Sequence, residues 1–200
     1  MANAVRHPII VDTDALIAVA NTHLWSTVVD RLRLTTTNVC IQELERHVRE
    51  TSEYAPDGSR EQWLHHGSSA ALEPFAADSE AFSTVTCVPR PHGPDAGETS
   101  IETEIAQHPD QYRFAILMDA HGRRSINRLF DATETTGQAV APTFLLYLVL
   151  DEGACSDEAF CQACAEMLRG EGWTGYQAIQ AAWDAIPIDC SNYLDDDVLP

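Results

Sequence analysis

Acidic residues end the two most apolar short segments of the chain. Asp12 follows the β-branched run Ile9–Val11, and Asp119 follows the run Ala115–Met118. Apolar runs of this kind are typical of buried strands, and ligands of open α/β sheets bind outside the carboxyl ends of parallel strands. If these two strands are neighbours, both carboxylates lie at one edge of the sheet. The alternative is that Asp12, or Asp14 beside it, only caps the helix that follows.

Two further acids lie on predicted helices. Glu43 is on the predicted helix Val39–Glu50, for which Asn38 is the expected N-cap residue, and it shares a face with apolar residues. Because burying an unpaired carboxylate is costly, Glu43 should face a cation or a water-filled cleft. Glu98 is in the first turn of the predicted helix Gly97–Gln107 and points the same way. The alternatives are that Glu43 is simply solvated and that Glu98 only interacts with the helix dipole.

Several carboxylates at close quarters cannot all stay ionised without a cation. Oxygen ligands select hard ions, so Asp12, Glu43, Glu98 and Asp119 predict a site for Mg²⁺ or Mn²⁺, with Asp14 as an additional candidate ligand. A divalent ion held in this way activates water and stabilises the charge that develops on a phosphodiester. The pattern therefore favours nuclease chemistry.

A cluster of arginines follows the last of these acids. Arg123, Arg124 and Arg128 are three of the 12 arginines in the chain, and they come directly after Asp119. Such a cluster either binds phosphate or neutralises nearby acids. Its position favours phosphate binding, with Arg123 and Arg124 as the candidate residues.

Alternating strand and helix patterns separate these residues and predict an α/β domain with a parallel sheet. The other predicted strands are Leu34–Thr37, Phe82–Val88 and a short edge strand near Thr133–Thr136. The other predicted helices are Ala15–Ala20, Thr22–Leu32, Glu61–Ala81 with breaks at Gly67 and Pro74, the helix after Asp119, Phe144–Leu150, Asp157–Leu168 and Gly175–Ile186. One domain, or one domain with an appended helical piece, accounts for 200 residues.

The charge balance of the chain indicates the salt concentration of its environment more than the kind of partner it binds. The chain has no lysine, 12 arginines and 31 acids, and its net charge is −19. This composition resembles that of halophilic proteins. At molar salt the Debye length is about 3 Å, so repulsion among the carboxylates is screened. The negative charge then says little against a nucleic acid partner.

Neither a signal peptide nor a membrane span is predicted, because the most apolar run, Val140–Leu150, is short and contains Pro142. We therefore expect a cytoplasmic protein. Six cysteines are too few and too scattered for a disulfide framework, so buried reduced thiols are expected. Cys155, Cys161 and Cys164 are close enough in sequence to suggest zinc, but no histidine follows at zinc-finger spacing.

Four motifs in order carry a resemblance to a known family. They are VDTDALIA, VCIQELERHV, GETSIETEIA and ILMDAHGRR, and a closing apolar helix follows them. Together they resemble the PIN domain, the nuclease fold of the VapC-type toxins, in the branch whose third acid lies in a Gly-Glu pair. The resemblance covers roughly residues 9–153.

The resemblance implies a three-layer α/β/α sandwich around a central parallel sheet and cleavage of RNA that depends on Mg²⁺ or Mn²⁺. It places Asp12, Glu43, Glu98 and Asp119 as the four acids of the catalytic site. It also matches Thr13 to a small hydroxyl residue next to the first acid and Arg124 to a basic residue after the fourth. Thr13, Arg123 and Arg124 are therefore the expected contacts for the substrate phosphate.

The sequence departs from this branch at two positions. Ala120 stands where a second acid is common, which leaves one and two metal ions as alternatives, and Asp14 stands where Ser or Asn is common. The chain is also longer than a minimal toxin in residues 51–81 and after residue 153. We expect a PIN-like domain over residues 1–153, C-terminal helices packed on the same domain over residues 154–190, and an acidic tail over residues 191–200.

The leading prediction is that the protein is an endoribonuclease. The toxin of a toxin–antitoxin pair is one cellular role that such an enzyme could have. The resemblance then implies an antitoxin protein as a partner and a homodimer as a common assembly. The main alternative is a catalytically silent PIN-like module that binds RNA or a protein. A nuclease acting on DNA is less favoured, because the sequence contains no helical arch or basic clamp for a duplex. A phosphotransferase that uses Asp12 and Asp14 is also less favoured, because it would need a downstream lysine and the chain has none.

Overall fold

The computed structural model describes residues 8–77, 81–88, 91–93, 95–170, 186 and 188–190. Over these residues the centre of the fold is a five-stranded, all-parallel sheet with strand order β3-β2-β1-β4-β5. The strands are β1 (Ile9–Val11), β2 (Leu34–Thr37), β3 (Phe82–Val85), β4 (Phe114–Ile116) and β5 (Gln138–Val140). Strands β1 and β4 are neighbours, with Ile10 opposite Ala115 and Val11 opposite Ile116, so the condition for placing Asp12 and Asp119 at one edge of the sheet is met.

Eight helices flank the sheet in the described part of the chain. They are α1 (Thr13–Ala20), α2 (Trp25–Arg31), α3 (Asn38–Glu50), α4 (Arg60–Ala76), α5 (Ala96–Gln107), α6 (Ala120–Ala132), α7 (Thr143–Asp151) and α8 (Asp157–Gly170). Because side chains alternate between the faces of a strand, Ile9 and Val11 pack into one core with α1, α7 and α8, whereas Ile10 packs into a second core with α5 and α6. The predicted three-layer α/β/α sandwich is confirmed.

Helix α4 is continuous, so the predicted breaks at Gly67 and Pro74 are wrong. Proline has no N–H to donate to the carbonyl four residues earlier, but the indole Nε1 of Trp25 donates to that carbonyl, on Ala70, over 3.1 Å. At Gly67 the helix packs so closely on α1 that a Cβ would lie 2.7 Å from the carbonyl oxygen of Ile17. Contacts with distant residues therefore keep both helix breakers inside the helix.

The last edge strand begins later than the sequence predicts. Thr133 and Glu134 form a turn in which Glu134 has a positive φ of 55°, residues 135–137 are irregular, and β5 follows at Gln138. The side chain of Asn127 accepts a hydrogen bond from the N–H of Ala139 and donates one to its carbonyl, over 2.7 and 3.2 Å. The side chain therefore pairs with the backbone N–H and carbonyl of Ala139 on the outer edge of β5. Because Asn127 lies on α6, that helix sets the position of the strand.

The start of α3 also differs by one residue from its prediction. Thr37, rather than Asn38, is the N-cap residue, since its hydroxyl accepts from the N–H of Cys40. Asn38 is the first helical residue, and its side chain accepts from the N–H of Cys87 instead, over 3.0 Å.

The expectation of reduced thiols is wrong for one pair of cysteines. Cys161 on α8 forms a disulfide with Cys190, across 29 residues of sequence, while Cys155 and Cys164 are free. Helix α8 contributes to the same core as β1 and α1. The predicted helix Gly175–Ile186, apart from Ile186 itself, and the whole acidic tail over residues 191–200 lie outside the described residues. No helix among the described residues is long and apolar enough to cross a membrane.

Candidate active site

Asp12 lies directly after β1, at the carboxyl edge of the sheet. Its Oδ1 accepts from the N–H of Ala15 over 2.7 Å, and its Oδ2 accepts from the N–H of Met118 over 3.1 Å. Asp12 is therefore the N-cap of α1, as the alternative interpretation proposed, and it also ties β1 to the end of β4. The residue is only 7 % exposed, and burial, followed by the charge of Asp14, raises the pKa of its carboxyl well above the ordinary value.

Asp119 reaches the same edge from β4 and has the same local role. It is the N-cap of α6, since its Oδ2 accepts from the N–H of Gly122 over 2.8 Å. Unlike Asp12, it is exposed. In both residues a carboxylate lies at a helix N-terminus, where backbone N–H groups and the helix dipole favour negative charge.

Glu43 on α3 is held by two donors. The hydroxyl of Thr13 donates to Glu43 Oε2 over 2.6 Å, and the N–H of Gly97 donates to Oε1 over 3.2 Å. A Cβ at position 97 would lie 2.4 Å from Glu43 Oε2 and 3.3 Å from the Sγ of Cys40. Glycine therefore lets the start of α5 approach this carboxylate, and Glu43 is neither unpaired nor simply solvated.

Glu98 lies over the start of α6. A Cβ on Gly122 would be 2.5 Å from Glu98 Cδ and 2.7 Å from each carboxylate oxygen. Burial, and then the charge of Asp119, raises the pKa of the Glu98 carboxyl. Within the described part of the chain its carboxylate has no hydrogen-bond partner. Gly122 thus joins two of the predicted acids, because its N–H binds Asp119 while its bare Cα makes room for Glu98.

Asp14 lies beside these acids at the start of α1. Although the residue is exposed, the protein atoms around its carboxyl desolvate it and so raise its pKa. The charge of His47 lowers this pKa, and the charge of Glu43 raises it further. Arg60, at the start of α4, is a second cation on this side of the edge.

The sequence analysis missed Asp95, the N-cap residue of α5. Its charge raises the pKa of both Asp14 and Glu98, so it belongs to the same group of acids. Asp95 has a left-handed backbone with φ 60°, a conformation that Asp tolerates better than most residues. The signal that could have found it is an acid immediately before a helix whose first turn already contains Glu98.

The predicted phosphate contacts occupy different environments. Arg123 is partly buried, and its Nη1 donates to the carbonyls of Leu117 and Met118 over 2.8 and 2.5 Å. Burial lowers the pKa of Arg123, whereas the charges of Asp119 and Asp12 act in the opposite direction. Arg124 is exposed, and the hydroxyl of Thr13 is engaged with Glu43.

We define the acid rim as the four predicted acids at the carboxyl edge of the sheet, Asp12, Glu43, Glu98 and Asp119. Its donors are all carboxylate oxygens, which suit Mg²⁺ and Mn²⁺. Burial, followed by the charge of a neighbouring acid, raises the pKa values of Asp12 and Glu98, and Gly97 and Gly122 leave room for two of the carboxylates. No three His, Cys, Asp or Glu side chains of the described residues are arranged to hold one ion. Mg²⁺, however, keeps several waters and commonly takes only one or two carboxylates, so the acid rim fits such an ion.

Neither the curated proteins nor the solved structures include a significant match to this chain. The family model of the halobacterial PIN domain, in contrast, matches residues 1–200. PIN domains are generally nucleases and generally use divalent metals. With this match over its whole length and an acid rim at the carboxyl edge of a parallel sheet, the chain belongs to the halobacterial PIN domain family.

Proposed function

We propose that this PIN domain is a metal-dependent endoribonuclease that hydrolyses RNA phosphodiesters at the acid rim. The observation that carries the proposal is the pairing of its four acids, Asp12 with Glu43 and Asp119 with Glu98, through residues that contact or adjoin both members of a pair. Thr13, next to Asp12, donates to Glu43, and Gly122, which donates to Asp119, packs under Glu98. Carboxylates that are brought together from four separate elements are difficult to explain by helix capping alone.

The chain's own residues have distinct roles in the proposed reaction. Glu98 and Asp119 would hold Mg²⁺ or Mn²⁺ most directly, because Glu98 has no hydrogen-bond partner within the described residues and Asp119 has one oxygen outside its cap bond. Asp12 and Glu43 complete the negative field while hydrogen bonds fix their orientation. A bound divalent ion would lower the pKa of water and stabilise charge on the phosphate.

The substrate has to approach an edge that carries both signs of charge. Exposed Arg124 and the nearby His121 lie on the α6 side, where they favour a phosphate group beside the acids. We propose RNA rather than duplex DNA, because the sequence contains no basic clamp for a duplex. The net charge of −19 weakens binding at low salt, so molar salt is the natural assay condition.

A toxin of a toxin–antitoxin pair is the cellular role that this activity would serve, in the cytoplasm. Such a role requires an antitoxin that covers the acid rim, and a protein encoded next to this chain is the first candidate. Co-purification with that protein, together with loss of cleavage in the complex, is the expected result. An unchanged cleavage rate in the complex would remove the toxin role but not the nuclease.

The test of the nuclease is cleavage of total RNA in molar KCl with Mn²⁺. Glu98→Gln and Asp119→Asn are the main variants, since each removes a charge and neither removes a hydrogen bond that the acid rim needs. Asp30→Asn, an exposed site on α2, is the matched control. We expect cleavage by the parent and by the control, but not by the rim variants or with EDTA. Equal cleavage by parent and rim variants would refute the site.

A catalytically silent module that binds RNA is the second candidate. It is favoured by the absence of three converging ligands among the described residues and by Ala120, which stands where the branch commonly has a second acid. Gel-shift binding of RNA without cleavage or Mn²⁺ binding, by a protein with a cooperative melting transition, would select this function over the nuclease.

A further inference from the structure

The 51–59 loop, which links α3 to α4, presents the most exposed large apolar side chain of the described residues. This side chain is Tyr54, which is 87 % exposed, and in the described part of the chain only Val88, at 69 %, is comparable. A single exposed apolar side chain is ordinary on a protein surface. What distinguishes Tyr54 is that its loop is held in shape and lies beside the acid rim.

Hydrogen bonds with the first turn of α4 hold the loop near both of its ends. The N–H of Ser52 donates to Glu61 Oε1 over 3.0 Å, and the N–H of Gly58 donates to Gln62 Oε1 over 2.8 Å. The backbone that carries Tyr54 is therefore fixed before any ligand arrives. Because tyrosine has only two side-chain torsions to order, it provides a large contact area at a low cost in entropy.

Helix α3 leads from the acid rim to this loop. Glu43 on α3 accepts from Thr13 at the rim, and Thr51 is the C-cap of the same helix. At about 1.5 Å per residue, Thr51 lies about 12 Å along the helix from Glu43. The far end of the loop adjoins Arg60, whose charge acts on the carboxyl of Asp14. At about 3.4 Å per nucleotide of a stacked strand, about four nucleotides reach from the acid rim to the start of the loop.

High salt determines which contacts hold RNA on this protein. At molar salt the Debye length is about 3 Å, so contacts between arginine and phosphate lose most of their strength. The loop itself carries two acids, Glu53 and Asp57, and no arginine, so charge does not explain how it would bind a polyanion. Stacking of a base on an aromatic ring requires no charge, and it tolerates every base because each has a π-face. An exposed tyrosine therefore provides a contact that salt does not screen.

From these observations we infer that Tyr54 stacks on a base of single-stranded RNA and forms a binding subsite beside the acid rim. The inference rests on the proposed function, since it takes RNA as the substrate. A single strand is the form that fits, because the bases of a duplex are stacked on one another and offer no free face. Tyr54 lies outside the acid rim, so it contributes to RNA affinity rather than to the chemical step.

The first test is the binding of a labelled single-stranded RNA of about ten nucleotides. Fluorescence anisotropy in molar KCl with EDTA measures the Kd without cleavage. Tyr54→Ala should raise the Kd about 5- to 100-fold, the loss expected for one stacked base, and Tyr54→Trp should bind as the parent does. Val88→Ala, which removes the other exposed apolar side chain, is the matched control and should leave the Kd unchanged.

The dependence on salt distinguishes stacking from charge. The ratio of the Kd values of Tyr54→Ala and the parent should be the same at two KCl concentrations in the molar range, because stacking is not screened. A ratio that declines with salt would overturn the inference, and so would a parent that binds no RNA without metal. If Tyr54→Ala keeps its RNA affinity and instead releases a co-purified protein, the loop is a protein interface and the inference is wrong.

Substrate length separates a stacking subsite from a disturbance of the acid rim. In cleavage assays with Mn²⁺, Tyr54→Ala should raise KM for the longer RNA and leave kcat unchanged. Cleavage of a dinucleotide, which is too short to reach the loop, should equal that of the parent. An equal loss with both substrates would overturn the inference. Parental affinity in Tyr54→Ala, with cleavage intact, removes the subsite and leaves the nuclease proposal standing, whereas RNA binding through Tyr54 without cleavage supports the subsite and removes the nuclease.

Discussion

Gly122→Ala should separate the stability of this protein from its activity. The added Cβ would lie 2.5 Å from Cδ of Glu98, so the carboxylate has to move. The movement is easy, because the group displaced is the end of a flexible side chain that has no hydrogen-bond partner in the described part of the structure. The N–H of residue 122 still donates to Asp119 after the substitution. The local backbone and the cap therefore survive while one acid leaves its position.

The magnitudes follow from these contacts. Alanine inside a helix is favoured over glycine by about 1 kcal/mol, and moving Glu98 to another rotamer costs about 0.5 to 1.5 kcal/mol. The two effects nearly cancel, so the free energy of unfolding should change by less than about 1 kcal/mol, a shift of roughly 2–4 °C at most in Tm. Metal affinity and RNA cleavage should fall by about 10- to 100-fold, as for the loss of a group that orients a metal site.

The assay pairs a thermal melt with Mn²⁺ titration and RNA cleavage in molar KCl. Asp131→Ala is the matched control, since it changes an exposed residue at the other end of α6 and leaves the acid rim intact. The control should cleave RNA at the parental rate. Parental cleavage and metal affinity in Gly122→Ala would show that Glu98 is not part of the site, whereas a large loss of stability would show that its carboxylate cannot move as argued.

Three further results are expected. Thr13→Val removes the hydroxyl that holds Glu43, so cleavage should fall at least tenfold and Thr13→Ser should restore it; equal rates in the two variants would count against this role. Burial raises the pKa of Asp12 in the folded state above the ordinary aspartate value of about 3.8. In the absence of metal, Tm should therefore decline as the pH rises above about 3.8, because the buried carboxyl loses its proton. The decline of Tm with pH should be shallower in Asp12→Asn. An unchanged slope would assign the pH dependence to other acids. The Cys161–Cys190 bond spans 29 residues, so Cys161→Ser should lower the free energy of unfolding by about 3.6 kcal/mol. Urea denaturation at matched KCl concentration measures this change, with the reduced parent as reference. Equal stability of the oxidised and the reduced parent would contradict the bond.

Local sequence signals predicted the elements that position the site. The apolar run Ile9–Val11 and the β-branched run Leu34–Thr37 are strands with those bounds, because few other structures suit such residues. The order of strand, acid and helix also predicted that Asp12 and Asp119 end parallel strands at the carboxyl edge of the sheet, and the pairing of β1 with β4 brings them to the same place. These features depend on residues that are close together in the chain, which a single sequence contains.

The errors in the sequence analysis come from contacts between distant residues. Pro74 stays inside α4 because Trp25, remote in sequence, donates to the carbonyl that proline leaves without a partner. The disulfide joins Cys161 to Cys190 across the segment whose structure is not described. Asp95 was missed for a related reason, since its nearness to Asp14 is decided by how α5 packs on α3, which also contacts α1. No local pattern contains this information.

The acids of the rim both cap helices and supply negative charge, and the two roles respond differently to substitution. Asn is as good an N-cap as Asp, so Asp119→Asn keeps the bond from Gly122 and loses only charge. At position 12 both oxygens of the aspartate accept hydrogen bonds, from the N–H groups of Ala15 and Met118. Asparagine has only one side-chain oxygen, so its N–H₂ group must face one of these N–H groups, which then loses its acceptor. An unpartnered buried N–H costs about 1 to 3 kcal/mol. Loss of activity in Asp12→Asn therefore mixes chemistry with folding, whereas loss in Asp119→Asn reports on the chemistry alone.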